Sequence, residues 1–430
     1  MKKKINVVTL GCSKNIVDSE YLIAQLTGNN FEVVHDSNDE SAKTVIINTC
    51  GFIGDAKEES INTILNFAQA KEAGIIDNIF VFGCLSERYK PELIKEIPEV
   101  DEFFGANNIK DIIKAIGADY KDNLIGERVT TTPTHYAYLK ISEGCNWGCS
   151  YCAIPLIRGK HVSVPMELLL KQAGQLAKNG VKELLVIAQD TTYYGLDSYK
   201  KRRLAELLRE ISKIDGIEWI RLHYAYPTAF PDDLIYEMRD NPKICNYLDI
   251  PFQHISDRVL SNMRRGITKE GTYRFIEKLR KEIPDIALRT TLLVGHPGET
   301  EKAFEELVQF VKDIRFERLG VFPYSAEEGT YSALNFTDRI SNKKKMERAD
   351  EIMSVQNKIS IALNAAKEGQ IINTMIDRID DDFIIGRTEY DSPEIDQEVL
   401  IEKKTDIPLG TFVKVKITDA DEYDLYGKIV

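Results

Sequence analysis

The sequence contains no apolar run that approaches the ~20 residues of a membrane-spanning helix, no internal repeat and no low-complexity tract. Its opening, MKKKINVVTLGC, places lysines before an apolar stretch that Asn6 interrupts, and this stretch is shorter than the ~7–15 residues of a secretion signal. We therefore expect a cytoplasmic protein that begins with a β-strand and has no membrane association.

Cysteine is scarce, with seven residues in a chain of 430. An odd number spread over so long a chain argues against a framework of disulfides. Six of the seven fall into two sets of three, and Cys245, beside a strand-like run, is interpreted as a buried small hydrophobic residue. The length allows two or three domains, each with its own core.

One set has the spacing C-x3-C-x2-C, at Cys145, Cys149 and Cys152, with no fourth cysteine nearby. Thiolates this close favour an iron–sulfur cluster or zinc over hard cations. A structural zinc ion would need a fourth Cys or His at a comparable offset, and His161 lies nine residues beyond Cys152. Inert buried cysteines are the remaining alternative. The pattern favours a 4Fe-4S cluster with one iron left open to a small molecule.

This spacing resembles the signature of the radical S-adenosylmethionine (SAM) enzymes, and Tyr151, the aromatic residue before the last cysteine, fits it. The resemblance implies that the open iron binds the amino and carboxylate groups of SAM. It also implies that an electron from the cluster splits the S–C5′ bond and gives a 5′-deoxyadenosyl radical.

Residues 1–120 alternate β-branched runs with amphipathic stretches, which predicts a doubly wound parallel sheet. Strands are expected at INVVTLGC, TVIINTCG and IFVFGC, and helices over 15–26 and 56–73. Cys12, Cys50 and Cys84 each follow one of these strands, beside a glycine. Because the carboxyl ends of parallel strands meet at one crevice, the three thiols should converge. Three unrelated core cysteines are the alternative, but the shared positions favour a second cluster with one open iron.

Beyond a charged linker at 121–134, strand-like runs recur with helical material between them: AYLKIS, ELLVIAQD, EWIRLHY, YLDIPFQH, IALRTTLLVG and RLGVFPYS. Six such units predict a partial (βα)6 barrel of the TIM type over 131–362, whose active site belongs at the carboxyl ends of the strands. Polar residues at those ends suit a substrate and SAM pocket as a set, although each alone could equally cap a structural element: Gln189, Asp190, His223, Tyr224, Gln253, His254, His296, Tyr324 and Ser325.

A charged amphipathic helix over 342–366 leads to a tail of short alternating strands with Gly, Pro and Asp turns. This tail, residues 365–430, predicts a small antiparallel β-barrel. The chain is therefore expected to be an α/β multidomain protein divided at 1–120, 131–362 and 365–430.

Two three-cysteine sets followed by a small β-barrel resemble the methylthiotransferases over essentially the whole chain. TLGCSKNIVDSE, NTCGFI and FGCLSERY look like that family's N-terminal cysteine motifs, ISEGCNWGCSYCAIPLIRG looks like its radical SAM loop, and the tail resembles its TRAM domain. The family implies two 4Fe-4S clusters, one on each cysteine set. It also implies two molecules of SAM, one for the methyl group and one for the radical, and sulfide or polysulfide carried on the N-terminal cluster.

The resemblance also suggests SAM contacts. Gln189 and Asp190 occupy the strand end where the family contacts the amino group of SAM, although they match its usual Gly-Gly-Glu pattern loosely. Gly298 and Glu299, in VGHPGET, are expected to shape a loop near the adenosyl group. No general acid or base is assigned, because a radical breaks an unactivated C–H bond where acid–base catalysis cannot act.

Charge bears on the substrate. The chain has a net charge of −12, and residues 368–430 contain 16 acidic against 7 basic residues, a net charge of −9. A barrel that grips RNA should neutralise phosphates with Lys and Arg, whereas an acidic barrel attracts a basic partner. Acidity that serves only solubility is the alternative.

Local motifs point the same way, because GCSKN, RLHYAYP, YLDIPFQHIS, SPEID and ITDADEYDLYG look like the methylthiotransferase branch that modifies an aspartate β-carbon of small-subunit ribosomal protein twelve. We expect a monomer that takes electrons from an external donor and acts on this basic ribosomal protein, free or within the small subunit. A tRNA adenosine methylthiotransferase is the closer rival. An iron–sulfur redox or sensor protein is the rival from another class.

Overall fold

The computed structural model describes residues 3–403 and 407–430. Two compact units make up the chain. The first contains Met1–Thr132, Tyr138–Trp147 and Cys152–Gln172, and the second contains Pro133–Ala137, Gly148–Tyr151 and Ala173–Val430. The expected division at 1–120, 131–362 and 365–430 stays a prediction, and by compactness the tail forms one unit with most of the central part.

The first unit is built on a sheet whose described strands are all parallel, in the order β2-β1-β3-β4-β5. The strands are β1 (Lys4–Thr9), β2 (Glu32–His35), β3 (Thr44–Thr49), β4 (Asn78–Gly83) and β5 (Glu102–Phe103), and the helices are α1 (Ser13–Gly28), α2 (Gly54–Glu72), α3 (Cys84–Glu96) and α4 (Ile109–Ala115). Every strand and helix expected here is present.

Side chains of the central strand β3 alternate between two cores. Val45 and Ile47 pack with Ile64 of α2, whereas Ile46 packs with Leu22 of α1 on the other face. Because successive side chains of a strand point to opposite faces, an uninterrupted apolar run needs helices on both sides. The sheet is doubly wound, as the alternation of elements predicts.

The remaining elements follow in chain order. The strands are β6 (Tyr136–Lys140), β7 (Ser142–Glu143), β8 (Val162–Ser163), β9 (Glu183–Ile187), β10 (Trp219–Leu222), β11 (Ile244–Asp249), β12 (Ala287–Val294) and β13 (Arg318–Pro323). The helices are α5 (Ile154–Ile157), α6 (Met166–Lys178), α7 (Leu204–Ser212), α8 (Asp232–Asp240), α9 (Asp257–Asn262), α10 (Lys269–Glu282), α11 (Glu301–Ile314), α12 (Tyr331–Asn335) and α13 (Asn342–Ala365). The six predicted barrel strands form one sheet in the order β13-β12-β11-β10-β9-β6, and β9 to β13 pair in parallel.

The tail closes into a barrel of β14 (Ile371–Ile379), β15 (Phe383–Thr388), β16 (Val399–Glu402), β17 (Phe412–Ala420) and β18 (Leu425–Ile429), in the order β14-β15-β16-β18-β17. The pairing is antiparallel except between β16 and β18, which run parallel. A closed ring with an odd number of strands cannot alternate direction throughout, so one pair must be parallel. The predicted small barrel is present, with this one departure from antiparallel pairing.

Buried ion pairs join the small barrel to the central strands within the second unit. Glu183, at the start of β9, pairs with Arg221 Nε at 2.7 Å and with Arg387 of β15, and all three side chains are at most 2% exposed. Arg387 also pairs with Asp377 at 2.8 Å. Burial alone would raise the pKa of Glu183, but the two guanidinium groups outweigh it and lower the pKa to about 2. The carboxylate is therefore ionised inside the protein.

Further buried ion pairs reduce the charge that the tail presents to solvent. Arg318 pairs with Asp391, and Arg289 pairs with Asp396 at 3.3 Å, with both carboxylates nearly inaccessible. These two tail carboxylates are therefore neutralised by arginines from outside the tail. The net charge of −9 therefore overstates the field that a partner would meet.

The structure also places the seventh cysteine. Cys245 is 1% exposed and packs in an apolar cluster with Trp219, Tyr247 and Ala287, which confirms it as a buried core residue. Across residues 3–403 and 407–430, the structure has no helix with the length and apolar character needed to span a membrane.

Candidate active site

Three cysteines end up at adjoining strand ends of the first unit. Cys12 precedes α1 directly after β1, Cys50 follows β3, and Cys84 begins α3 at the end of β4. β1, β3 and β4 are neighbours in the parallel sheet, so their carboxyl ends share one edge. Cys12 is exposed, whereas Cys50 and Cys84 are buried.

The neighbouring glycines explain how these three segments approach one another. A Cβ built on Gly11 would lie 2.7 Å from Cys50 Cβ, and a Cβ on Gly51 would lie 2.6 Å from the backbone of Leu85, the residue after Cys84. Gly11 also has a φ of 91°, which side chains disfavour. Glycine beside cysteine thus allows the close contact that the sequence pattern suggests.

Burial controls the ionisation of the two inner thiols. It raises the pKa of Cys84 to about 11 and also raises the pKa of Cys50, and the charge of Cys12 adds to both increases. Since a metal binds the thiolate form, binding here must displace protons.

The segment that follows the C-x3-C-x2-C motif contacts this N-terminal set. Ala153 and Ile157 pack against Cys84, and Arg158 Nε donates to Cys84 Sγ at 3.3 Å. All of these residues belong to the first unit. The segment that follows the second cysteine motif therefore reaches Cys84 of the N-terminal set.

Cys145, Cys149 and Cys152 lie between β7 and α5, and each is half-buried. In the first unit, Cys145 N donates to Gly159 O at 3.1 Å. In the second unit, Cys149 Sγ lies 3.4 Å from Tyr226 Oη, and an Arg265 guanidinium nitrogen donates to it at 3.6 Å. Arg265 is 2% exposed, so a buried cation faces this sulfur.

The loop between these cysteines is fixed at Ser150. Its N–H donates to Met263 O at 3.0 Å, and its carbonyl accepts from Ser332 N at 2.7 Å. Ser332 Oγ donates to Ser150 Oγ at 2.8 Å and lies 2.9 Å from His296 Nε2. Tyr151 meets the His296 ring edge to face at 6.3 Å. Side chains from distant parts of the second unit thus hold the motif in place.

Burial lowers the pKa of His296 from its ordinary 6.5 to about 4. The unfolded chain therefore takes up a proton at higher pH than the folded protein, and stability should fall as the pH drops from about 6.5 to about 4, by up to about 3 kcal/mol. We expect His296→Gln to flatten this dependence. Urea unfolding of both proteins at pH 7 and pH 5 measures this dependence. An equal change in the free energy of unfolding between the two pH values, in the variant and in the wild type, would contradict the role of His296.

The predicted SAM contacts on β9 are placed at its carboxyl end. Asp190 is 1% exposed, and its Oδ1 accepts from Thr192 N at 2.8 Å and from Thr192 Oγ1 at 2.6 Å. These bonds cap the short 3-10 helix Thr191–Tyr193. Gln189 is half-buried beside it. Their role in binding SAM stays a prediction, and the capping role of Asp190 is a finding.

Glu299 organises the loop after β12. Its Oε2 accepts from Gly295 N at 2.8 Å, and its Oε1 accepts from Arg348 at 2.7 Å. Gly298 lies in the same loop, where Asn262 donates to Pro297 O at 3.2 Å. The contacts agree with a loop-shaping role, and proximity to the adenosyl group stays a prediction.

Not every polar residue at the strand ends points to an open pocket. His223 is 3% exposed. Its Nε2 lies 3.1 Å from Ser392 Oγ of the tail, and its Nδ1 lies 3.7 Å from Asp249 Oδ2. His161, weighed as a zinc ligand, lies 3.1 Å from Ser163 Oγ instead. Within the described part of the chain, no three His, Cys, Asp or Glu side chains are already arranged around a metal position.

Three residues at the site have no role in the sequence analysis: Arg158, Tyr226 and Arg265. Arg158 stands in the motif AIPLIRG, so its place near the cysteines was readable from the sequence. Tyr226 and Arg265 lie far from Cys149 along the chain, and only the fold brings them to it.

Three family models match the chain in succession. A model of an uncharacterized protein family, UPF0004, matches residues 4–105, the radical SAM superfamily matches 139–311, and a TRAM domain matches 369–430. Among solved structures, the radical SAM methyltransferase TsrM from Kitasatospora setae shares the fold with a TM-score of 0.57 at 15% identity, covering 77% of each chain. The cobalamin-dependent radical SAM enzyme OxsB has a TM-score of 0.54 at 13% identity, covering 82% of this chain and 56% of its own.

Full-length relatives are much closer in sequence. The ribosomal protein uS12 methylthiotransferase RimO of Christiangramia forsetii is 57% identical, covering 99% of this chain and 94% of the relative. The RimO of Bacteroides fragilis is 56% identical over 100% of both chains. Fold and motifs define a radical SAM methylthiotransferase. The chain belongs to the RimO family of these enzymes.

Proposed function

We propose that this enzyme methylthiolates the β-carbon of an aspartate in ribosomal protein uS12. The observation that carries the proposal is the contact of the segment after the second cysteine motif with the N-terminal set, in which Ala153, Ile157 and Arg158 contact Cys84. Full-length relatives at 53–57% identity bear the name uS12 methylthiotransferase. Sulfur insertion at an unactivated carbon requires a radical source and a sulfur source close together, and this chain has a thiol set suited to each.

The donor chemistry of both sets fits iron–sulfur clusters. Each set offers three thiols and a buried arginine that donates to one sulfur, Arg158 to Cys84 and Arg265 to Cys149. Hydrogen bonds donated to sulfur favour the thiolate form, which is the metal ligand. We therefore assign Cys12, Cys50 and Cys84 to one cluster and Cys145, Cys149 and Cys152 to the other.

A cluster on Cys145, Cys149 and Cys152 would supply the electron for SAM cleavage, and a cluster on Cys12, Cys50 and Cys84 would supply sulfur. The protein's own residues hold the cysteine loops in place and shield the site. Ser150, pinned by Met263 and Ser332, fixes the loop of the radical-generating set. His296 lies beside this loop uncharged at neutral pH, because burial lowers its pKa to about 4.

The substrate assignment is supported by the relatives' names and, more weakly, by charge. Two tail carboxylates, Asp391 and Asp396, are neutralised by arginines from outside the tail, but Asp380, Asp381 and Asp382 remain exposed in the turn between β14 and β15. An exposed acidic turn suits a basic protein better than a phosphate backbone. We accordingly keep the ribosomal protein as substrate, with a cytoplasmic location, an external electron donor and a monomeric enzyme as further parts of the proposal.

Mass spectrometry of a strain that lacks the gene tests the substrate. Ribosomal protein uS12 should lose the mass of one methylthio group, and the gene for the intact enzyme should restore it while Cys12→Ala should not. The tRNA adenosine of the same strain serves as the internal control and should keep its modification. Loss of the methylthio group from adenosine, with uS12 unchanged, would transfer the assignment to tRNA.

A different reading, an iron–sulfur redox or sensor protein, makes a distinct prediction. Such a protein would release no 5′-deoxyadenosine when reduced in the presence of SAM. We expect the intact enzyme to release it, and Cys149→Ala to abolish the release, because this sulfur belongs to the radical-generating set. Chromatography of the reaction mixture measures the product directly.

A further inference from the structure

Arg158 uses each nitrogen of its guanidinium group on a different partner. It is 5% exposed, and its Nε donates to Cys84 Sγ at 3.3 Å. One terminal nitrogen donates to Asp18 Oδ2 at 2.7 Å, and the other donates to Asn15 Oδ1 at 2.6 Å. A planar group held at three points has one orientation, so the direction of the Nε–H toward the sulfur is fixed.

Asn15 ties this arrangement to the other cysteine segments. Its Nδ2 donates to Leu10 O at 2.8 Å and to Thr49 O at 3.2 Å. Leu10 and Thr49 come just before Cys12 and Cys50 in the sequence. Asn15 therefore links the guanidinium group to the two strand ends that carry the other thiols.

The charges around Arg158 balance one another. Lys140 pairs with Asp18 and with Glu143 at 2.8 Å, and Arg158 lies 3.3 Å from the same Glu143 oxygen. Two cations thus meet two carboxylates, and a Cys84 thiolate would add a further negative charge to this group. Since the carboxylates offset the positive charge, the directed hydrogen bond is the main influence of Arg158 on the sulfur.

We propose that Arg158 is a positioning residue for the N-terminal cluster, which holds Cys84 Sγ and raises the reduction potential of that cluster. The inference rests on the ligand set given under the proposed function. Hydrogen bonds to ligand sulfur stabilise the reduced state, in which the cluster carries more negative charge. Because Arg158 follows the radical SAM cysteines in sequence, the loop of one centre would set the potential of the other.

The test compares Arg158→Lys with Arg265→Lys, the same change at the arginine that faces Cys149. Each is measured in two backgrounds that retain one cluster, made by replacing either cysteine set with alanine. Lysine keeps the charge but lacks the rigid planar fork that fixes the direction of each donor. We expect Arg158→Lys to lower the reduction potential of the N-terminal cluster by ~59 mV, which corresponds to a tenfold change in the one-electron equilibrium constant. Arg265→Lys should leave that cluster unchanged and shift the other one.

The iron content and the melting temperature of each variant are measured together with its reduction potential. Loss of iron from the N-terminal set alone in Arg158→Lys, with an unchanged melting temperature, also supports the inference, because Cys84 is then no longer held. An unchanged potential at full iron content overturns it, as does an equal shift in both clusters. If the background that retains Cys12, Cys50 and Cys84 binds no iron at all, the proposed ligand set has failed instead.

Discussion

Replacing Cys12 with alanine should halve the iron of the reconstituted enzyme, from about eight atoms per chain to about four. Cys12 is the exposed member of the N-terminal set, so its removal deletes a ligand without opening a cavity in the core. Iron analysis with quantified protein gives the number. Release of 5′-deoxyadenosine should continue, because the radical-generating set is intact.

Cys245→Ala is the matched control for that experiment. Cys245 is buried among Trp219, Tyr247 and Ala287 and belongs to neither set. Its replacement should leave the iron content at the wild-type value. An iron content that is the same in Cys12→Ala as in the wild type would reject the second cluster, and with it the sulfur-carrying role of this site.

Replacing Glu183 with glutamine should destabilise the second unit by about 3–5 kcal/mol, because it leaves two buried arginines without their shared partner. Glu183 and Arg221 are fully buried, and Arg387 is 2% exposed. Urea unfolding followed by tryptophan fluorescence suits the measurement. Trp219 lies 4.8 Å from Phe412 of the small barrel, so its emission reports on this contact.

The pH dependence of the Glu183 effect has a defined sign. The pKa of Glu183 is lowered to about 2 in the folded protein, so its stabilisation is complete above the ordinary value near 4.5. It should be lost as the pH falls from about 4.5 to about 2. Glu206→Gln, at a surface pair with Arg203, is the control and should cost less than about 1 kcal/mol. Equal effects of the two substitutions would contradict the role of Glu183.

Local patterns predict the elements of this fold well. Alternating apolar runs locate the strands of both large sheets, and the glycines beside Cys12, Cys50 and Cys84 mark the strand ends that approach closely. Both features depend on a few neighbouring residues. Short-range sequence patterns therefore carry them.

The sequence does not predict which charged side chains pair with one another in the interior. Arg221 stands in the run EWIRLHY, where alternation would place a charged side chain toward solvent, yet it is completely buried against Glu183. Its partners come from β9 and from the small barrel, far away in sequence. The same holds for Arg265 and Cys149. Pairings of this kind depend on tertiary contacts, and a single sequence gives no sign of them.

Ser150 has a consequence for assembly of the holoenzyme. Its backbone is bonded on both sides, to Met263 and to Ser332, by contacts that involve no metal. Ordering a flexible loop is an entropic cost that weakens binding, and a loop already ordered avoids it. We therefore expect the cluster to bind to a loop that is already ordered, without folding of the loop around the metal. The apoprotein should keep this loop conformation before iron is added.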